Sequence, residues 1–176
     1  MAGHFVLFTY LTSYAAGKGF DGPEREVLLY TVFGLSGVIG GLLAGTFSDL
    51  AGRRVALIAI PTLYIVATIH LASSQSSVAF LCSLSLWAAA SWSISPTVQS
   101  YLIGLEGSPR NIVVGANTTA MHLGVAIGAV LGGRLLAGND ISILPAGAAG
   151  LAGLALMAAI FSIKASNGRK FGSGTG

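Results

Sequence analysis

The sequence predicts an all-α membrane protein that crosses the bilayer six times, and three observations predict it. Apolar residues make up 53% of the chain and charged residues 9%, where ordinary globular domains carry roughly 25% charge. Six apolar runs lie along the chain, most of them near the length of about 20 residues that a spanning helix needs. None of the six contains Asp, Glu, Lys or Arg; the nine basic and six acidic residues fall in connections, at run edges or in the tail. So few charges cannot cover a folded chain in water. Lipid can.

In order, the runs are Met1 to Ala16, Val27 to Ser48, Val55 to Leu71, Val78 to Leu105, Ile112 to Gly133 and Ile141 to Ile163. The first is short for a full span and reads as though sequence were missing ahead of it. Short polar connections, Gly17 to Glu26, Ser73 to Ser77 and Ala137 to Asp140, lie on one side of the membrane. Residues 1–166 form one transmembrane unit, and residues 167–176, ending in Gly-Ser-Gly-Thr-Gly, read as a flexible tail. Six spans put both termini on the same side. That side carries Arg53, Arg54, Arg110, Lys164, Arg169 and Lys170, against Lys18, Arg25 and Arg134 on the other. The positive-inside rule then places both termini in the cytoplasm.

Function classes fall away on the same grounds. The cations sit at the ends of apolar runs rather than along one face with aromatics, which excludes a nucleic-acid surface. A single cysteine, Cys82, excludes an internal disulfide and any Cys-based metal site, and its place inside an apolar run makes it a packing residue. No metal or other cofactor is expected.

Glycine is abundant, 25 residues, about double its usual share. The second span carries Gly37, Gly41 and Gly45; the fifth carries Ala116, Ala120, Gly124, Gly128 and Gly132. A four-residue step lays small residues in a stripe that lets helix backbones approach closely, which matters in lipid, where hydrophobicity draws no helices together. The ladders fall on the middle helix of each of two triplets. Spans one to three and four to six are therefore expected to be inverted-topology repeats, an arrangement that points towards transporters.

The connection after span two reads Gly45-Thr46-Phe47-Ser48-Asp49-Leu50-Ala51-Gly52-Arg53-Arg54. Gly52 can take the left-handed backbone that ends a helix. Asp49 can accept backbone N–H groups at a helix start or pair with an arginine; a plain positive-inside anchor is the alternative. This segment resembles the signature loop of the major facilitator superfamily, Gly-x-x-x-Asp-x-x-Gly-Arg-Lys/Arg, with Gly45, Asp49, Gly52, Arg53 and Arg54 in its key positions. Leu50 stands where the usual cation follows the acid, and Phe47 where the usual leucine precedes it. Those departures resemble the second copy of the loop in C-terminal halves. The opening Gly-His-Phe-Val-Leu-Phe-Thr-Tyr-Leu-Thr resembles the seventh helix of the drug and sugar efflux branch, Pro96 with Gln99 its tenth, and Asn117 to Gly133 its eleventh. An N-terminal half normally has an arginine in its fourth helix, and the fourth span here has none. The likeness is to the C-terminal, six-helix half.

The resemblance implies secondary active efflux of small organic molecules, drug-like or sugar-like, by alternating access. The partners would be the bilayer, a small-molecule substrate, and a missing N-terminal six-helix half or a second copy. It also implies that the first and fourth spans line the substrate path, the second and fifth face the other half, and the third and sixth face lipid. Substrate-path candidates are Tyr10, Tyr14, Trp87, Trp92, Gln99, Asn117 and His122. Aromatic rings offer apolar area with a polar handle; the competing role is an interfacial belt. Pro96 removes a helix hydrogen bond at the carbonyl of Trp92 and is expected to kink its span. His122 is read as the titratable group near mid-depth, about 15 Å in from its helix end, and such residues are functional candidates. Packing histidine is the plainer reading. His70 reads as interfacial.

A second class remains open on sequence. Gly34-Leu35-Ser36-Gly37 matches the Gly-x-Ser-Gly of rhomboid-type intramembrane proteases, with His122 as the base. Four residues in a glycine-rich helix match easily by chance, and in that family the serine and histidine lie on later spans. An inactive truncated membrane scaffold is the third reading.

Overall fold

The computed structural model describes residues 1–104, 109–137 and 140–172. Every regular element among them is helical. In chain order these are α1 (Ala2–Phe8), α2 (Leu11–Ala16), α3 (Pro23–Ala51), α4 (Arg53–Ser73), α5 (Ser77–Ile103) and α6 (Arg110–Leu136). A single 3-10 turn, Ile141–Ile143, then leads into α7 (Leu144–Gly172).

Local chemistry sets these ends. Gly22 and Gly52 both have φ of 91°, a region open to glycine at little cost, and they bracket α3. Pro23 follows at the first helical position, where its missing N–H loses nothing. The Ser76 hydroxyl accepts from the Ala79 N–H at 3.2 Å and caps α5. Asp140 accepts from Ser142 at 3.2 Å and starts the turn into α7. Leu105, the expected end of the fourth span, lies outside the described residues. The backbone of α7 runs on as helix to Gly172, into the stretch from Asn167 assigned to the tail; residues 173–176 lie outside the described residues.

Five helical segments are long and apolar enough to cross a membrane: α3, α4, α5, α6 and 141–166. The first expected span is different. It is two short helices, divided where the Thr9 hydroxyl donates back to Phe5 O at 2.7 Å. The Tyr10 N–H reaches only to Leu7 O, at 3.1 Å, and Tyr10 leaves helical geometry at φ −115°, ψ 18°.

Packing is pairwise. α5 lies along α3 and α4, α1 lies along α6 and α7, and α4 also lies along α7. The interior holds Leu7, Leu11, Leu29, Tyr64, Leu71, Phe80, Leu84, Trp87 and Leu144. Large apolar side chains such as Leu35, Leu42, Leu50, Ile112, Leu123 and Phe161 point outward. Exposed apolar surface on that scale belongs against lipid or protein, not water. The chain is a multi-pass membrane protein. α4 shows both sides of the expected lipid-facing role: Val55, Val66 and Ile69 face out, while Ile60, Tyr64, Ala67 and Leu71 are buried. Cys82 is exposed and so is not the packing residue its surroundings suggest; it lies on the outward side of α5, one residue from buried Ser83 and Leu84.

Candidate functional site

Where α1 meets α3 and α5, an aromatic cluster closes around a histidine. α1 carries His4, Phe5 and Phe8 within little more than one turn. The His4 ring stacks on Phe8 of its own helix (centroids 5.2 Å apart) and on Phe33 of α3 (5.9 Å). It also stacks on Trp87 of α5 (5.0 Å), and Phe5 meets it edge-on at 4.9 Å. His4 is 4% exposed and its Nδ1 has no hydrogen-bond partner. Behind it the fully buried Trp87 indole and the Tyr64 hydroxyl of α4 share the same apolar interior, their ring centroids 6.3 Å apart. The unmade bond at His4 costs about 1–3 kcal/mol, so the cluster is polar chemistry held in an apolar place.

Trp92 forms the open edge of this cluster. It is 50% exposed, and its ring lies 6.4 Å from His4. Gly37 of α3 makes room for it: a β-carbon there would come within 2.5 Å of Trp92 Cδ1. One turn on, Gly40 lies against the backbone of Ala89, and the Ser93 hydroxyl donates to Gly40 O at 2.8 Å. Further along α5, Ser95 accepts from Asn117 Nδ2 of α6 at 3.3 Å. Pro96 is exposed and Gln99 half-buried, while α5 continues without interruption through Pro96. Trp92, Gln99 and Asn117 thus border one open stretch of α5 and its neighbour α6, with an aromatic ring at one end and amides at the other. No Asp, Glu, Lys or Arg lies on it.

The other expected residues are distributed. Tyr10 donates to Ala129 O of α6 at 3.2 Å. Tyr14 is buried, its hydroxyl 3.5 Å from Leu71 O. Trp87 is fully buried rather than on a path wall. His122 is exposed; the buried face of α6 is its glycine side, Gly128 and Gly132. The buried histidine is His4, which the sequence reading passed over because it lies so near the chain start. Its signal was present all the same, a lone imidazole flanked by Phe5 and Phe8.

On α6, Gly124 meets Met1 and Ala2, Gly128 meets Ala2 and Phe5, and Gly132 meets Val6 and Tyr10; Ala116 and Ala120 are exposed. On α3 the buried line is Gly37, Gly40, Ala44 and Ser48, while Gly41 and Gly45 have nothing within 4 Å of an added β-carbon. A strict four-residue step drifts about 40° round a helix each time. A mixed three-and-four step stays on line. In the signature loop, Asp49 is exposed and makes no ion pair or hydrogen bond among the described residues. Arg53 lies across Gly104 at the end of α5. Ser36 is half-buried on α3, no hydrogen bond joins it to His122, and α3 and α6 are not a packed pair. The protease dyad is not assembled.

No family model matches the chain, but curated proteins do. The MFS-type transporter YbcL of Bacillus subtilis (strain 168) is 31% identical over 135 residues, 76% of this chain and 34% of its own length. The inner membrane transport protein YdhP of Escherichia coli (strain K12) is 26% identical over 163 residues, 91% of this chain and 41% of its own. A chloramphenicol efflux pump of Mycobacterium tuberculosis (strain H37Rv) is 26% identical over 164 residues, 89% of this chain and 39% of its own. The chain therefore spans between a third and two fifths of the relatives it matches. They are transporters, not enzymes. The chain is similar to transporters of the major facilitator superfamily, drug and sugar efflux members among them.

Proposed function

We propose that the chain is the C-terminal six-span half of a secondary transporter that exports small uncharged organic molecules by alternating access. One observation carries the reading: α1 packs on α6 and α7 as α5 packs on α3 and α4. Exchanging the first triplet of spans for the second turns each pairing into the other, as two inverted repeats require. On this reading α1 and α2 together are the first span. The open line of Gly41 and Gly45 on α3 then faces the missing N-terminal half, and the lengths of the relatives leave room for that half. Trp92, Gln99 and Asn117 border the substrate path, with Tyr10 and Tyr14 further along the first span. Both termini lie in the cytoplasm, and Arg53 across Gly104 steadies one end state.

The test uses accumulation of labelled chloramphenicol in Escherichia coli cells expressing either this chain or a fusion of it behind the first half of YdhP. The fusion should lower accumulation, and Trp92→Ala should weaken the effect about fivefold, the worth of about 1 kcal/mol of aromatic contact. Accumulation equal to that of empty-vector cells, with the fusion present in the membrane at normal levels, would sink the proposal.

A further inference from the structure

His4 is the only Asp, Glu, Lys, Arg or His side chain that is buried among the described residues. It takes no part in any hydrogen bond there. We propose that His4 is a proton-operated latch: the imidazole holds α1 in the aromatic stack while neutral, and proton uptake from water releases it.

The surroundings decide this. From its own helix His4 meets Phe5 and Phe8, with the amino group of Met1 one turn away. α3 offers Phe33, and α5 offers Trp87 and Trp92, with the Tyr64 hydroxyl of α4 behind Trp87. α6 and α7 meet α1 through Gly124, Gly128, Gly132 and Ala148, which do not ionise. No carboxylate faces the ring from any of these elements. An imidazolium here would have only π-faces for company, worth about 2 kcal/mol when desolvated. Removing the ion from water costs several kcal/mol. The proton and the stacked position therefore exclude one another, and by linkage a proton bound at His4 favours the arrangement in which the ring reaches water.

α1 is built to make that move. It is divided from α2 at Thr9 and Tyr10, where the backbone leaves helical geometry. Its seam with α6 runs along Gly124, Gly128 and Gly132, which put no side chain of their own against it. Release of the ring would also free the open edge of the cluster, since Trp92 adjoins His4. That this release couples proton entry to substrate movement rests on the transport reading; the latch itself does not.

The chain has two tryptophans, so Trp92→Phe leaves Trp87 as the sole emitter, in contact with His4. In lipid nanodiscs, lowering the pH from 8 to 4 should red-shift Trp87 emission in a one-proton transition. His4→Phe keeps a ring and removes both nitrogens, and should abolish the transition. As a second reading, selective histidine labelling in a chain carrying His70→Gln and His122→Gln follows the His4 imidazole directly by NMR. Its titration should coincide with the shift of the α1 amides. Emission that is flat across the range, a transition that persists in His4→Phe, or an imidazole that titrates while α1 stays still would each overturn the latch. Export lost with the transition intact would leave the latch standing and count against the transport reading.

Discussion

Gly40 has no side chain because the Ala89 backbone leaves no room for one. Replacing it with valine drives two methyl groups into a helix backbone, an overpacking that typically costs about 1–3 kcal/mol. Gly45→Val should cost almost nothing in the isolated chain, because Gly45 meets nothing there. Thermal melting in detergent compares the two. Equal losses would mean that the α3–α5 seam is not where the structure puts it. The contrast also shows what the sequence could and could not reveal at this scale. Small residues on the second span were visible. Which of them touch a neighbour depends on the phase of the seam, and that is set by Trp92 and Ser93 on another helix. In the same way, His4 and His122 are both lone histidines in apolar runs. Only the neighbours contributed by α3 and α5 make one of them buried.

At the scale of helices, five of the six expected spans were legible because a long charge-free run has few other uses. Most expected ends fell within a few residues of the observed ones, since Pro23, Gly52 and Ser76 are local signals, whereas α7 runs nine residues past its expected end at Ile163. The division of the first span was harder to read. It lies where Tyr10 leaves helical geometry, and the neighbouring Thr9 gives no warning, since threonines within α4 and α6 make the same bond to the carbonyl four residues back without breaking the helix. The pairing of helices was not legible at all beyond the glycine ladders. α3 is tied to α5 by Ser93, whose hydroxyl donates to Gly40 O and to its own helix at Ala89 O. Ser93→Ala should lower stability by about 0.6 kcal/mol, the average for such bonds in a membrane bundle. Amide exchange would show it as faster opening of α3 and α5 together. A loss confined to α5 would mean that only the bond within the helix matters.

For the whole molecule, a resemblance in the loop from Gly45 to Arg54 pointed to this family of transporters before any contact was known, and the curated relatives are transporters of that kind. Side of the membrane is a separate matter and has its own test. In a Cys82→Ser background, Gln75→Cys lies on a connection assigned to the outside, and Arg54→Cys on one assigned to the cytoplasm. Intact cells treated with an impermeant maleimide should label the first and spare the second. The reverse pattern would invert the orientation. Cys82 itself, exposed on the outer side of α5, should react with a membrane-soluble maleimide and resist an impermeant one.

The pairing of α1 with α6 and α7 has a consequence for how the molecule is made. Of these helices α1 leaves the ribosome first, yet everything from Gly17 to Pro109 must be synthesised before α6 begins to appear. Throughout that interval the helix bearing His4 has α3 and α5 to lean on but lacks the glycine surface that completes its seat. A nascent chain stalled before Gly124 would hold an unfinished helix at the membrane, the kind of lesion that insertion chaperones shelter and quality-control proteases remove. Biogenesis by itself therefore constrains the bare face of α6.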